Sequence, residues 1–179
     1  GPASGGPADN EGPKLISIQP NIKSQKINPH EKIILEFNEL LDPISIPASI
    51  SLKEDYKIKI RRKRIIISPN KAWPDNQILN IQLSRRVRDY HKNIMAEPVQ
   101  LVYSTGAPIP HCYISGNIEG FSNQNIIDVG LYRWPIHDSS KVIQKVEVNK
   151  DGFFEFRFID YGEYTLGAIE AVLTDFNYQ

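Results

Sequence analysis

Residues Tyr56 to Ser68 read YKIKIRRKRIIIS. Ile58 and Ile60 alternate with Lys57 and Lys59, the period of two that sends successive side chains to opposite faces of a strand. Arg61, Arg62 and Lys63 make the turn, and Arg64 to Ser68 return. The stretch predicts a hairpin whose Ile58, Ile60, Ile65 and Ile67 face a core while its cations face water.

The same grammar extends on either side. Leu15, Ile16 and Ile18 form a short strand closed by Pro20, Lys32 to Phe37 a second, and Ser49 to Lys53 a third. Between the last two, the Pro-broken PISIPASI has room for one helical turn. Gln77 to Leu83 and Val99 to Ser104 complete a module of short strands with turn signals about every ten residues, the spacing of a β-sandwich. Thr105 to His111 (TGAPIPH) reads as a short joint stiffened by Pro108 and Pro110, with Ile109 as an apolar anchor. Beyond it, Tyr113 to Glu119, Ile126 to Tyr132, Val142 to Val148, Phe153 to Phe158 and Tyr164 to Leu173 read as strands. Asn149-Lys150-Asp151-Gly152 is the expected hairpin turn. Phe154, Phe156 and Phe158 alternate with Glu155 and Arg157, which predicts an aromatic inner face, with Tyr164 also packed inward.

Composition agrees. The chain of 179 residues holds 26 Ile against 8 Ala, a ratio that suits strands and not helices. The expected fold is all-β, two consecutive β-sandwich domains. Residues 1–13 (GPASGGPADNEGP) hold four Gly, three Pro and no large apolar side chain, and read as a flexible tether. The first module spans 14–106 and the second 107–179. Charge divides at the same place: 16 Lys/Arg against 9 Asp/Glu in 14–106, and 5 against 10 in 107–179.

Cys112, the one cysteine, excludes an internal disulfide and a multi-thiolate zinc site. His30, His91, His111 and His137 lack the spacing of a local metal site. Asn149, Asp151, Asp160, Glu163 and Asp175 suit turns better than a calcium loop, because no bidentate Glu follows in position. Nucleophile-elbow, zinc-protease and phosphate-loop motifs are absent, and Glu36 and Glu39 read as surface residues. No catalytic residue, cofactor or metal is assigned, and the expectation is a non-enzyme.

The candidate ligand or partner surface is basic: Lys57, Lys59, Arg61, Arg62, Lys63 and Arg64, joined by Arg85 and Arg86, with Trp73 as a platform for a sugar ring. Such a surface suits phosphate, lipopolysaccharide head groups or acidic glycans. Without a recognition helix or RNA-binding aromatic motif it does not point to nucleic acid.

Four pieces of the first module, in order, carry a resemblance: Pro13 to Pro20 (PKLISIQP), Ile33 to Asp42 (IILEFNELLD), Asp89 to Asn93 (DYHKN) and Tyr103 to Gly106 (YSTG). Residues 14–106 resemble the bacterial Ig-like domain first described in surface-layer proteins. Lys92 stands where that pattern usually has Gly, so either the turn differs or Lys92 is left-handed. Ile114 to Ile118 (ISGNI), Val129 to Tyr132, Asp151 to Phe156 (DGFFEF) and Gly162 to Leu166 (GEYTL) make the second module similar to transthyretin-like, carboxypeptidase-regulatory-like sandwiches.

With the leader Ser4 to Pro13 (SGGPADNEGP), the combination resembles Bacteroidetes-type envelope lipoproteins. That resemblance implies a cell-envelope interaction or structural module, an envelope protein partner, and membrane attachment only through an N-terminal lipid anchor that this chain does not carry.

Overall fold

The computed structural model describes residues 5–21 and 26–171. Val172 and Leu173, placed at the end of the last expected strand, and Asp175 lie outside the described residues.

The first module pairs two antiparallel sheets. One has the order β1-β2-β5-β4, built from β1 (Leu15–Gln19), β2 (Ile33–Phe37), β4 (Tyr56–Arg61) and β5 (Arg64–Pro69). The other has the order β3-β6-β7, from β3 (Ile50–Ser51), β6 (Ile78–Leu83) and β7 (Val99–Ser104). Alternation decides what lies between them. Ile33, Leu35 and Phe37 of β2 and Leu79, Ile81 and Leu83 of β6 are buried in one cluster with Ile65, Ile67, Leu101 and Tyr103. Burying each such side chain stabilises the fold by about 1.5–3 kcal/mol.

The hairpin has the expected register. Ile58 lies opposite Ile67 and Ile60 opposite Ile65. Its turn is tighter than expected, because Arg61 and Arg64 pair and only Arg62 and Lys63 lie between the strands, Arg62 at φ 55°. PISIPASI holds two 3-10 turns, Pro43–Ser45 and Pro47–Ser49. Ile16 is exposed, because a bulge between Leu15 and Ser17 shifts the pairing of β1.

The second module pairs a sheet of order β10-β9-β12 with the two strands β11-β8. These are β8 (Cys112–Asn117), β9 (Ile126–Arg133), β10 (Gln144–Glu147), β11 (Phe153–Ile159) and β12 (Tyr164–Ala171). Phe154 and Phe156 are buried with Ile127, Val129, Leu131, Val146 and Val148, and Tyr164 packs against the cluster half-buried. Phe158 is not a core residue. It sits at φ 58° in a register shift of β11, and Ile159 takes the inward place that simple alternation gives to Phe158.

The turn at Asn149 to Gly152 closes as expected, with the Gly152 N–H donating to Asn149 O at 3.1 Å. It does not continue as a hairpin ladder. β10 pairs with β9 and β11 with β8, so the turn carries the chain from one sheet to the other. Gly152 is required there: its φ is 95° and a Cβ would lie 2.1 Å from Ile118 O.

The leader, expected to be free through residue 13, lies against the first module from Asp9 onward. Asn93 Nδ2 donates to Asp9 O at 3.1 Å, Pro13 is buried, and a Cβ on Gly12 would lie 1.9 Å from Ile94 O.

Candidate functional site

The hairpin presents its cations as a continuous surface. β4 is an edge strand, and its alternation sends Lys57, Lys59 and Arg61 outward beside Arg62, Lys63 and Arg64, all exposed. Arg64 reaches Glu36 at 3.5 Å, whereas Lys57, Lys59, Arg61, Arg62 and Lys63 make no ion pair among the described residues. Charge along an edge of this kind discourages pairing with another strand, and its positive field attracts anions.

Two residues expected on that surface are elsewhere. Trp73 is 1% exposed in the core. Its backbone N–H donates to Pro29 O at 2.7 Å and its indole N–H to Glu31 O at 2.9 Å, so the polar edge of the ring is satisfied inside and no face is offered to a sugar. Arg85 is 2% exposed. Its guanidinium donates through Nε to Met95 O at 3.0 Å and through Nη2 to Asn123 O at 2.9 Å, the first in its own module and the second in the other. It is a structural tie and not a surface cation. Arg86, its neighbour, is exposed as expected.

Arg85 sits in a polar junction between the modules. The Glu147 carboxylate accepts from Ser84 Oγ and from the Arg85 backbone N–H, both at 2.6 Å. Gln82 Nε2 donates to Lys145 O at 2.6 Å, the Lys150 N–H donates to Ala96 O at 3.0 Å, and Asn149 Nδ2 reaches both Glu97 oxygens at 3.1 and 3.2 Å. Burial pushes the Glu147 carboxyl above its ordinary value, against the opposing pull of its Ser84 and Arg85 bonds. Coupling between the modules therefore comes from the 82–97 segment meeting β10 and the turn after it, in addition to the Pro-stiffened joint.

A second gathering joins acidic residues far apart in the sequence. One oxygen from each of Asp9, Glu39 and Asp89 lies within 4.8 Å of the others. Burial, then the Asp89 and Asp9 charges, raise the Glu39 carboxyl above its ordinary value. Asp89 is committed to its own turn, accepting from the Asn93 backbone N–H and from Asn93 Nδ2, both at 2.9 Å. Among the described residues no histidine, and none of Asp151, Asp160 or Glu163, enters such a group.

A third feature lies at one end of the second module. The Trp134 N–H donates to Glu163 O at 3.0 Å, and Arg133 Nη1 donates to Tyr161 O at 3.4 Å while its guanidinium carbon stands 4.8 Å from the centre of the Tyr164 ring. These contacts hold the end of β9 against the 160–163 turn. Trp134 is left 58% exposed, Ile136 47% and Tyr161 92%. A Trp beside a Pro does not by itself distinguish an exposed ring from one that covers the end of a sandwich.

Two antiparallel sandwiches, the first with an Ig-like strand pattern, define the class. The chain belongs to the bacterial Ig-like domain family, whose profile matches residues 9–105. Domains of this family are typically extracytoplasmic. No helix among the described residues is long and apolar enough to cross a membrane. No curated protein matches the chain. Among solved structures, it is similar to an L,D-transpeptidase from Mycobacterium smegmatis at 10% identity and a TM-score of 0.40, covering 76% of this chain and 73% of that one. It is also similar to the LD transpeptidase LdtMt1 in complex with imipenem, at 8% identity and a TM-score of 0.37, covering 76% and 74%.

Proposed function

We propose that this protein is a non-enzymatic interaction or structural module of the bacterial cell envelope, derived from a lipoprotein and acting as an accessory subunit of an outer-membrane assembly. The observation that carries the interaction reading is the exposed apolar end of the second module, where Trp134, Ile136 and Tyr161 stand in water on a hydrogen-bonded base. Trp and Tyr bury much area at low entropic cost and are enriched among the residues that carry binding energy. The leader Ser4 to Pro13 supports the lipoprotein origin through its resemblance to envelope lipoprotein leaders.

Capture from native membranes with the full chain, run beside Trp134→Ala and Tyr161→Ala, tests this. The expected result is an envelope protein retained by the wild type and lost by both variants. Identical recovery with all three, or specific hydrolytic turnover by the chain, contradicts it.

A second reading is favoured by the hairpin. Five of its cations lack an acidic partner among the described residues, which suits an acidic ligand or acidic glycan held by Lys57 to Arg64 with Arg86 nearby. Such binding is salt-sensitive, because exposed charges are screened beyond about 8–10 Å at ordinary ionic strength. Retention on a heparin column that fails at low salt removes this reading.

A further inference from the structure

Among the described residues, β12 (Tyr164–Ala171) is the longest strand at a sheet edge, and its one ladder is with β9. The Trp134 N–H donates to Glu163 O, and on the far side of β9 the Val148 N–H donates to Ile127 O. Even-numbered positions of β9 thus face β12, and odd-numbered ones face β10. Bonding alternates along an antiparallel ladder, so Thr165, Gly167 and Ile169 bond to β9, while the N–H and C=O of Leu166 and Ala168 point the other way. No backbone bond from another described residue reaches those groups, and Leu166, Gly167, Ala168 and Ile169 are all exposed. Several other edges are guarded against pairing. β4 carries cations, β1 a bulge, β3 is two residues long, and β10 is short and holds Lys145. β12 holds no Lys, Arg or Pro.

We propose that β12 pairs antiparallel with β12 of a second copy of this chain, joining two three-stranded sheets into one of six strands. The outward groups set the register. With Gly167 on the two-fold axis, Leu166 lies opposite Ala168 of the second copy and Ala168 opposite Leu166 of the second copy, so outward N–H and C=O groups meet as bonded pairs. A slip of one position would set them against groups already bonded to β9. Charge is consistent with self-pairing. Residues 164–169 (YTLGAI) carry none, and in this register Glu170 falls opposite Tyr164 of the second copy, away from its own equivalent. Self-pairing through β4 would instead bring together two rows of cations. Leu166 is 41% exposed and Ile169 66%. The register sets Leu166 beside Ala168 and Ile169 beside Thr165 across the two-fold, so both lose exposed area. A strand from another protein is the less favoured occupant, because it must bring an unguarded edge of its own, which a second β12 already has in matching register. One strand pair is a small interface, so the dimer is weak and concentration-dependent.

Sedimentation of the full chain from low micromolar to near-millimolar concentration, beside amide exchange at both ends of that range, is the test. The wild type should pass from monomer to dimer. Exchange at the Leu166 and Ala168 N–H should slow about tenfold as it does so, while the Gly167 and Ile169 N–H, already bonded to β9, should be protected throughout. This alternating pattern is read on the wild type and needs no variant. Ala168→Pro removes an outward donor and no bond to β9, a change that an edge strand tolerates. It should keep the wild-type Tm and stay monomeric across the range. Lys59→Ala should dimerise as the wild type does. A monomer at every concentration overturns the proposal. So does protection of Leu166 and Ala168 that is independent of concentration, because the edge is then covered by the chain itself. A dimer that survives in Ala168→Pro, or one whose Leu166 and Ala168 amides exchange as fast as the monomer's, places the interface elsewhere and overturns it too.

Discussion

The Glu147 carboxylate of the second module accepts the backbone N–H of Arg85 in the first at 2.6 Å. With the Ser84 hydroxyl on its other oxygen, this one side chain caps the start of a loop that also carries the buried Arg85 guanidinium across to Asn123. Glu147→Ala removes the acceptor, leaves the Ser84 hydroxyl and the Arg85 N–H without their partner, and takes away the nearest negative influence on the buried guanidinium, with Glu97 and Asp151 remaining. The expected cost is about 1.5–3 kcal/mol of coupling between modules, the range for hydrogen bonds to a charged group. Each module should keep its own fold. Limited proteolysis at the joint and a two-step thermal transition are the readouts, and a single unchanged transition contradicts the role.

The same carboxylate sets a pH dependence. Burial raises its folded pKa above the unfolded value, so the folded state holds this proton more tightly. Its contribution is fully present below the ordinary carboxylate value and is lost as pH rises through the raised value. The stability difference between wild type and Glu147→Gln should therefore shift against the wild type as pH rises across that window and stay level above it. Denaturant unfolding at several pH values measures it.

Ile65→Ala should destabilise the first module by about 2–5 kcal/mol, since Ile65 is 0% exposed at the centre of the cluster. Ile60→Ala, opposite it and only partly buried, should cost less. Arg62→Ala at the exposed tip should lie within about 0.5 kcal/mol of wild type. Equal effects of Ile65→Ala and Arg62→Ala in chemical denaturation would contradict the register.

Phe156→Ala should cost about 3–5 kcal/mol. Phe156 is 0% exposed and meets Phe154 edge-on at 6.0 Å between ring centres. The second module is small, so amide exchange should rise across residues 112–164 while the first module stays protected. Uniform wild-type protection in the variant contradicts the core assignment.

Lys92→Gly should stabilise the first module or leave it unchanged. Lys92 sits at φ 69° in the Asp89–Asn93 turn, a conformation that costs a residue with a Cβ about 1–2 kcal/mol and costs Gly almost nothing. Greater chain entropy of Gly in the unfolded state offsets part of the gain. A lowered Tm contradicts this account of the turn.

What the sequence made legible follows the range of its signals. Ile58, Ile60, Ile65 and Ile67 were readable because period-two alternation is local and a turn fixed the register. Phe154 and Phe156 were readable for the same reason, and Phe158 was not, because a bulge breaks the alternation without a distinctive residue. Nothing local marks Trp73, beside Pro74, as inward. Its burial depends on backbone acceptors at Pro29 and Glu31, about forty positions away. Arg85 looked like its neighbours Arg86 and Arg88, yet it alone of the three is turned fully inward, to bonds with Met95 and Asn123. The clamp between Arg85 and Glu147 joins residues 62 apart, and the carboxylates of Asp9, Glu39 and Asp89 meet across similar gaps, so spacing rules had nothing to register.

Backbone ¹⁵N relaxation on the intact chain tests most directly whether the two sandwiches act as one body. Residues of both modules should report a single rotational correlation time. Two independent correlation times in the wild type would contradict the account.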